Sequence, residues 1–372
     1  MRLRSIALSL LLATTGSAAC SQPAPATSAD KPFNIETIGE FEGPWAMAFL
    51  PSGKILVTQK QGAMVLFDPK GGAKKILTGT LPVVSAGQGS LMDVMLAPDF
   101  AESRKLYFSY SDAGEGKTNG VALATATLDE AGGALRDVKV IFNGQPYLES
   151  GAHYSGRILF SPDKKYLYFT NGERAKGDPA QDPKATLGKV LRLNLDGTPA
   201  KGNPLAAKGF HPAIWSYGHR NLTGIVFDAQ GRLWEVEMGP LGGDEINLVK
   251  PGNNYGWPKA SNGSNYDKSD IPDHTPSDGF VPPKVFWNPS LAPAALLYYD
   301  GKMFPQWRGS LFVPGLSGMA LARVSLNGET ATKADHWNMG MRLRDVAVAP
   351  DGAIWLLEDG PKGKMLRLTP KK

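Results

Sequence analysis

The segment Trp215-Ser-Tyr-Gly-His-Arg-Asn221 sets an imidazole, a guanidinium and a carboxamide side by side at His219, Arg220 and Asn221, and Glu237-Met-Gly-Pro-Leu-Gly-Gly-Asp-Glu245 follows shortly after. A core strand has no use for this mixture. The planar fork of Arg220 matches a carboxylate, and Asn221 adds a neutral donor. The main-chain carbonyls of Gly239 and Pro240, with the acids Asp244 and Glu245 nearby, offer the oxygen ligands that calcium prefers. Read together, these residues suit a carboxylate-bearing ligand held beside a hard cation. The alternative is a tight turn with solvated acids, and the chain has no twelve-residue EF-hand loop.

Three further places could carry chemistry. His153 lies in Gly151-Ala-His-Tyr-Ser-Gly-Arg157, where small neighbours leave the ring accessible and an imidazole can act as a general base near neutral pH. A structural or surface histidine is the alternative. Arg342-Leu-Arg344 puts two guanidiniums on one side of an extended segment, as an anion clamp or as an ordinary solvated edge. Gln88, in Gly87-Gln-Gly-Ser-Leu-Met-Asp93, can donate to a ligand or cap a turn; its loop lacks the Walker lysine and does not fit a dinucleotide fingerprint. No His-x-x-x-His pair and no Cys/His cluster is present, which argues against zinc.

These residues are scattered, so the fold must gather them. From residue 33 onward one pattern recurs: a short apolar alternation, a turn of Pro, Asp, Gly or Ser, and a second apolar run. It appears in Met47–Val57, Val94–Phe108, Ile158–Phe169, Ile225–Trp234, more loosely in Leu297–Val313, and in Val346–Trp355. These are hairpin signatures, spaced roughly 45 to 75 residues apart, which is the range of propeller blades with loop insertions. No long stretch has the helical period. The pattern predicts an all-β chain folded as a six-bladed β-propeller over residues 33–372; two packed β-sandwich domains are the alternative. In a propeller the site residues would converge at one end of the central channel.

Composition narrows the field. With 42% hydrophobic and 20% charged residues and a formal net charge of +5, the chain is an ordinary globular protein, and no block of like charge or Lys/aromatic interleaving points to nucleic acid. The 43 glycines and 29 prolines imply many turns. Residues 1–20 read as a signal peptide: Met1-Arg-Leu-Arg4 is the basic start, Ile6 to Ala13 is too short to span a bilayer, and small residues lead to Cys20. That lone cysteine sits where a bacterial lipoprotein carries its lipid, and residues 21–32 read as a flexible tether. The expectation is an exported, periplasmic or outer-membrane-anchored protein touching the membrane only through Cys20, with simple secretion as the alternative. With no disulfide available, stability must come from core size.

The chain resembles the soluble pyrroloquinoline-quinone (PQQ)-dependent sugar dehydrogenases, the glucose/aldose and sorbosone dehydrogenase family. The resemblance runs through Gly43-Pro-Trp-Ala-Met-Ala-Phe-Leu-Pro51, Gln88 to Phe100, His153 to Arg157, Tyr217 to Asn221, Glu237 to Pro258 and Arg342 to Gly352, in family order. It implies a six-bladed propeller carrying PQQ and Ca2+ at the channel mouth and oxidising an aldose or related aldehyde by hydride transfer, with electrons leaving to a separate acceptor. By position, His153 matches the catalytic base, and Arg220 and Asn221 match contacts to the quinone and the calcium environment. Arg342, Arg344 and Gln88 match PQQ contacts. Gly239 and Pro240 match main-chain calcium ligands, and Trp287, in Phe286-Trp-Asn-Pro-Ser-Leu-Ala-Pro293, matches the aromatic wall near the sugar. The chain departs from the family at Leu316-Ser317-Gly318, where the glucose dehydrogenases carry a lysine against PQQ. Two rival readings are a calcium-dependent propeller lactonase, which would need acidic side chains clustered at the metal, and a non-catalytic envelope propeller.

Overall fold

The computed structural model describes residues 30–371 apart from Ala86. The expected leader with Cys20, and the tether up to residue 29, lie outside the described residues.

Six four-stranded antiparallel sheets follow one another along the chain. Blade 1 comprises Pro44–Phe49, Ile55–Gln59, Met64–Phe67 and Lys74–Ile76, and blade 2 comprises Leu91–Leu96, Lys105–Ala113, Asn119–Asp129 and Ala134–Asn143. Blade 3 comprises Ser155–Phe160, Tyr166–Asn171, Lys189–Asn194 and Ile214–Tyr217, and blade 4 comprises Leu222–Phe227, Leu233–Glu237, Asp244–Val249 and Val285–Trp287. Blade 5 comprises Leu297–Tyr299, Ser310–Pro314, Ala320–Asn327 and Thr330–Asn338. Blade 6 takes Leu343–Val348, Ile354–Glu358 and Gly363–Pro370 from the C-terminal end and its outermost strand, Phe33–Phe41, from the other end of the chain. Phe33 faces Pro370 and Phe41 faces Gly363, so the ring is closed by main-chain hydrogen bonds. The first strand of each blade touches the first strands of its two neighbours, which makes the wall of a central channel.

Each expected hairpin is the first pair of strands in a blade. The second strand reads as a solid apolar run because it is covered on both faces. In Ile55–Gln59, Ile55 and Val57 pack into the interface with blade 6, while the intervening Leu56 packs against blade 2. Successive side chains of a strand point to opposite faces, so one strand feeds two cores. One apolar cluster fills each of the six interfaces between blades.

The register slips near the start of the first strand in blades 1, 2, 3, 4 and 6, at Pro44/Ala46, Leu91/Val94, Ser155/Ile158, Leu222/Gly224 and Leu343/Asp345. Such bulges re-aim side chains. Those skipped here include Trp45, Met92, Asp93, Arg157, Thr223 and Arg344, and every one of them lines the channel-mouth cavity or joins the buried cluster beneath it.

That cluster centres on Arg157 of blade 3. Its Nη1 donates to Asp345 Oδ1 at 3.0 Å and lies 3.4 Å from Asp93 Oδ1; Nη2 donates to the Ala294 carbonyl at 2.7 Å and Nε to the Thr223 carbonyl at 2.8 Å. The guanidinium also lies over the Trp45 ring, 4.3 Å from its centre. Burial pushes the Asp93 carboxyl up to about 6, with Arg157 opposing and Asp345 reinforcing the rise, and burial raises Asp345 likewise. Both acids therefore take up a proton more readily folded than unfolded, and the strain of keeping them ionised grows as pH rises through that range. Arg157→Met removes the only cation between them. It should lower the unfolding free energy by about 3–5 kcal/mol at pH 8 and by less at pH 5, where the two carboxyls can protonate. Urea midpoints at the two pH values measure this, and a penalty that is equal or larger at pH 5 contradicts it.

Candidate active site at the channel mouth

A cavity of about 330 Å³ opens at the end of the channel where the first strands begin. Its lining includes Gln88, Asn221, Arg342 and Arg344 of the residues singled out from the sequence, together with Trp45, Lys60, Met92, Leu316 and Asp359. Arg342 and Arg344 do lie on one side of their segment, with Leu343 buried between them. Both grip Asp359: Arg342 Nε donates to Oδ2 at 3.0 Å, and Arg344 Nε and Nη2 donate to Oδ1 at 3.0 and 2.9 Å. Lys60 Nζ joins them at 2.5 Å from Oδ1. Burial alone would push the Asp359 carboxyl up, but Arg344 and Lys60 override it and hold the group well below the usual carboxylate range. Neither Lys60 nor Asp359 stands out in the sequence; only the meeting of blades 1 and 6 shows them to be partners.

His153 stands at the rim, directly before Tyr154 and Ser155, which line the cavity. Its ring is less open than the small neighbours suggest: the residue is 8% exposed. Nδ1 is hydrogen-bonded to Glu173 Oε1, and Glu173 Oε2 accepts the Lys176 and Gly177 amides, both at 2.5 Å. Burial would raise the Glu173 carboxyl, yet His153 and these two amides hold it below its ordinary value. Burial lowers the His153 imidazole; the Glu173 bond opposes this, and the Arg220 and Arg174 charges add to the lowering. An ionised Glu173 beside a neutral imidazole requires the proton on Nδ1, which leaves the Nε2 lone pair free. The backbone is held under tension here, with φ of 49° at His153, 60° at Ser155, 66° at Arg174 and 54° at Ala175. Left-handed conformations at non-glycine residues persist only where the surroundings enforce them, and they gather at functional sites. Gln88 fixes the entry to this turn by accepting the His153 amide at 2.8 Å, which leaves its own amide nitrogen to donate elsewhere. Gly87 is required for this approach: a Cβ there would come within 2.3 Å of the Gly151 carbonyl oxygen.

Glu173 also joins His153 to the second motif, because its amide donates to the Arg220 carbonyl at 3.0 Å. Arg220 Nη1 donates to the carbonyls of Met238 at 3.0 Å and Gly239 at 2.8 Å, and its Nη2 reaches the Tyr266 hydroxyl at 3.2 Å. Of the two carbonyls expected to hold calcium, that of Gly239 thus accepts from a guanidinium, alongside the Met238 carbonyl. Asn221 Oδ1 accepts from Ser155 Oγ at 3.3 Å, linking the two motifs from the cavity side. His219 is held between two partners, with Nδ1 3.1 Å from Glu237 Oε1 and Nε2 2.9 Å from Ser216 Oγ. It stacks on Tyr255 at 4.6 Å, so the turn that carries Tyr255 braces the site. The loop after that turn carries Tyr266, 72% exposed, out to Arg220; an isolated aromatic in a polar loop gave no signal of this.

Two expectations need correction. Trp287 does not face the cavity. It ends the outermost strand of blade 4 and is buried with Val285 and Leu291 in the interface with blade 5, because its strand pairs Trp287 with Asp244 on the far side of the blade from the channel. Trp45 is the tryptophan at the cavity. Secondly, acidic side chains do cluster: Glu235, Glu237 and Glu245 are all buried behind Arg220, with Asn247 Nδ2 donating to Glu235 at 2.8 Å. Burial and the Glu237 charge push the Glu235 and Glu245 carboxyls well up, and Glu235 Oε2 and Asn247 Oδ1 have no hydrogen-bond partner. The space beside this group, about 10 Å³, is the size of a water or an ion.

Residues 41–367 match the glucose/sorbosone dehydrogenase family. The chain is 36% identical over 356 residues to the aldose sugar dehydrogenase of Escherichia coli, covering 94% of each. Among solved structures, the apo form of the soluble aldose sugar dehydrogenase of E. coli superposes with a TM-score of 0.87 at 35% identity, covering 91% of this chain and 100% of that one. The PQQ-bound form of the aldose sugar dehydrogenase of Streptomyces coelicolor superposes with a TM-score of 0.76 at 30% identity, covering 93% and 100%.

Glu173 raises the basicity of His153, so Glu173→Gln should move the imidazole to a still lower pKa. Titration of the His153 ring by heteronuclear NMR reads this directly, and an unchanged or raised value contradicts the dyad.

Proposed function

The chain belongs to the glucose/sorbosone dehydrogenase family, and from that premise we propose that it is a PQQ- and Ca2+-dependent dehydrogenase that oxidises aldoses or related aldehydes and passes the electrons to a separate acceptor. The observation that carries this reading is a cavity with a cationic wall next to a histidine, the chain neighbour of the lining residue Tyr154, whose Nδ1 is held by Glu173. A planar tricarboxylate is the kind of ligand such a wall suits. Lys60, Arg342 and Arg344 present ammonium and guanidinium groups, Asn221 and Gln88 add polar contacts, and Trp45 and Met92 give the cavity an apolar surface.

Calcium would be held at the neighbouring carbonyl turn by the main-chain oxygens of Gly239 and Pro240; the Gly239 carbonyl also accepts from Arg220 Nη1, and the buried Glu235 and Asn247 oxygens without a hydrogen-bond partner lie further behind. When bound, PQQ supplies the two-electron acceptor that no side chain of this protein provides.

The residues supply position and a base. A sugar hydroxyl at the rim meets His153 Nε2, which takes its proton while Nδ1–H stays bound to Glu173 and the carboxylate steadies the imidazolium that forms. Arg220, fixed by the Met238 and Gly239 carbonyls, contributes a positive field from the other side of Glu173. An exported location is part of the proposal and rests on residues 1–20 alone.

Purified protein supplied with PQQ and Ca2+ should oxidise aldoses in the presence of an artificial electron acceptor. His153→Ala should lose about 10²–10⁴-fold in kcat while still binding PQQ. Because the active form carries a neutral His153, kcat/KM should fall with decreasing pH, with its acid limb below 6.5, the ordinary histidine value. Hydrolysis of lactones without PQQ, or full activity in the alanine variant, would refute the assignment.

A further inference from the structure

All the charged groups lining the cavity lie on blades 6 and 1. Lys60 directly follows the second strand of blade 1, and Asp359 directly follows the second strand of blade 6. Three cations, Lys60, Arg342 and Arg344, share the single carboxylate of Asp359, so this wall keeps two positive charges in excess. Beside it, where the Gly315 carbonyl accepts the Leu343 amide at 3.0 Å, the lining continues with Leu316, with the exposed Ser317 beyond, and neither offers a charge.

The three cations are not equivalent. Each arginine is tied to Asp359 through a guanidinium of fixed geometry, and Arg344 commits two of its nitrogens there. The Lys60 ammonium is a point charge with three donors on a flexible stem, and it uses one of them on Asp359. Its main-chain amide donates a hydrogen bond to the Gly43 carbonyl at 2.9 Å, while its side chain keeps 33% exposure. An anion entering the cavity can therefore reach Lys60 without breaking the Asp359 contact.

We propose that Lys60 is the third cation of the carboxylate clamp, bridging Asp359 and a carboxylate of the bound cofactor, and that it supplies from blade 1 the charge that is missing at Leu316-Ser317-Gly318. Asp359 is then a resident counter-anion. It keeps three like charges together before the ligand arrives and holds them in register for it. The inference rests on the reading of this cavity as the PQQ site.

The test is equilibrium binding of PQQ in the presence of Ca2+, followed by quenching of tryptophan fluorescence, for which Trp45 in the cavity wall is placed. Lys60→Met should raise Kd about tenfold or more, the worth of a charge-assisted hydrogen bond, and should flatten the dependence of Kd on salt. Lys60→Arg, which keeps the charge, should stay within about threefold of wild type. If Lys60→Met does not fold, Lys60→Gln, which keeps a donor for Asp359, replaces it with the same expectation. A methionine or glutamine variant that binds PQQ as tightly as wild type overturns the proposal. So does an arginine variant as weak as the methionine one, since Lys60 would then act through local packing and not through charge. Wild-type protein that does not bind PQQ at all would instead sink the cofactor reading on which the proposal stands.

Discussion

Blades 3 and 6 lie opposite each other in a ring of six, so the contact between Arg157 and Asp345 crosses the channel. The same guanidinium meets Asp93 of blade 2, the Thr223 carbonyl of blade 4, the Ala294 carbonyl on the way into blade 5, and the Trp45 ring of blade 1. Asp345 in turn accepts the Met47 amide, and Asp93 accepts the Ile158 amide. One side chain thus ties all six blades at the depth where the cavity ends. Apolar interfaces between blades are tolerant of small slips; a buried guanidinium with two carboxylates and two carbonyls is not, because any displacement leaves a charge without a partner. The cluster is poor as a source of net stability and good as a fixed floor, and the bulges that aim Asp93 and Arg157 inward are the local backbone devices that build it.

Above that floor the site is organised as pairs in which one member faces the cavity and the other holds it from behind. Glu173 holds His153, Glu237 holds His219 and, through the Arg220 amide at 2.5 Å, the turn that carries Asn221. Asp359 holds Arg342, Arg344 and Lys60. Asp244 accepts the Gly239 amide at 2.9 Å and the Ala292 amide at 2.7 Å, and so fixes the carbonyl turn against the segment entering blade 5. The supporting groups are nearly all carboxylates and come from loops or strands distant in sequence. Each long polar side chain of the cavity wall is thereby already committed at one end.

The facing members were legible in the sequence and the supporting ones were not. Arg342 and Arg344 declare themselves by alternation, His153 by its glycine-flanked turn, and the Gly-His-Arg-Asn and Glu-Met-Gly-Pro stretches by their unusual composition. Nothing local marks Glu173, Lys60 or Asp359, because their meaning is a partner on another blade or beyond a turn. The six hairpins were legible for the opposite reason, since an apolar run, a turn and an apolar run are strictly local. Trp287 failed where the two kinds of information conflict. Flanked by Phe286 and Asn288-Pro289, it looks like an aromatic in a loop, but the outermost strand of blade 4 is only Val285–Trp287 long, too short for an alternation to reveal it.

Charge is sorted by depth around Arg220. In front of it the cavity carries the excess of cations; behind it Glu235, Glu237 and Glu245 crowd together with one histidine and one carboxamide for company. Neither group is comfortable alone. Glu235 and Glu245 are pushed towards protonation by burial and by the Glu237 charge, and the cations are kept together by one aspartate. A guanidinium between them, hydrogen-bonded to neutral carbonyls and not paired with any of those carboxylates, leaves both sides incompletely neutralised. That imbalance is what a ligand can exploit: an anion placed in front and a cation placed at the carbonyl turn would each relieve a charge the folded chain cannot balance by itself. Binding of the two would therefore be mutually supportive even without any movement of the blades, because each lowers the electrostatic cost that the other meets.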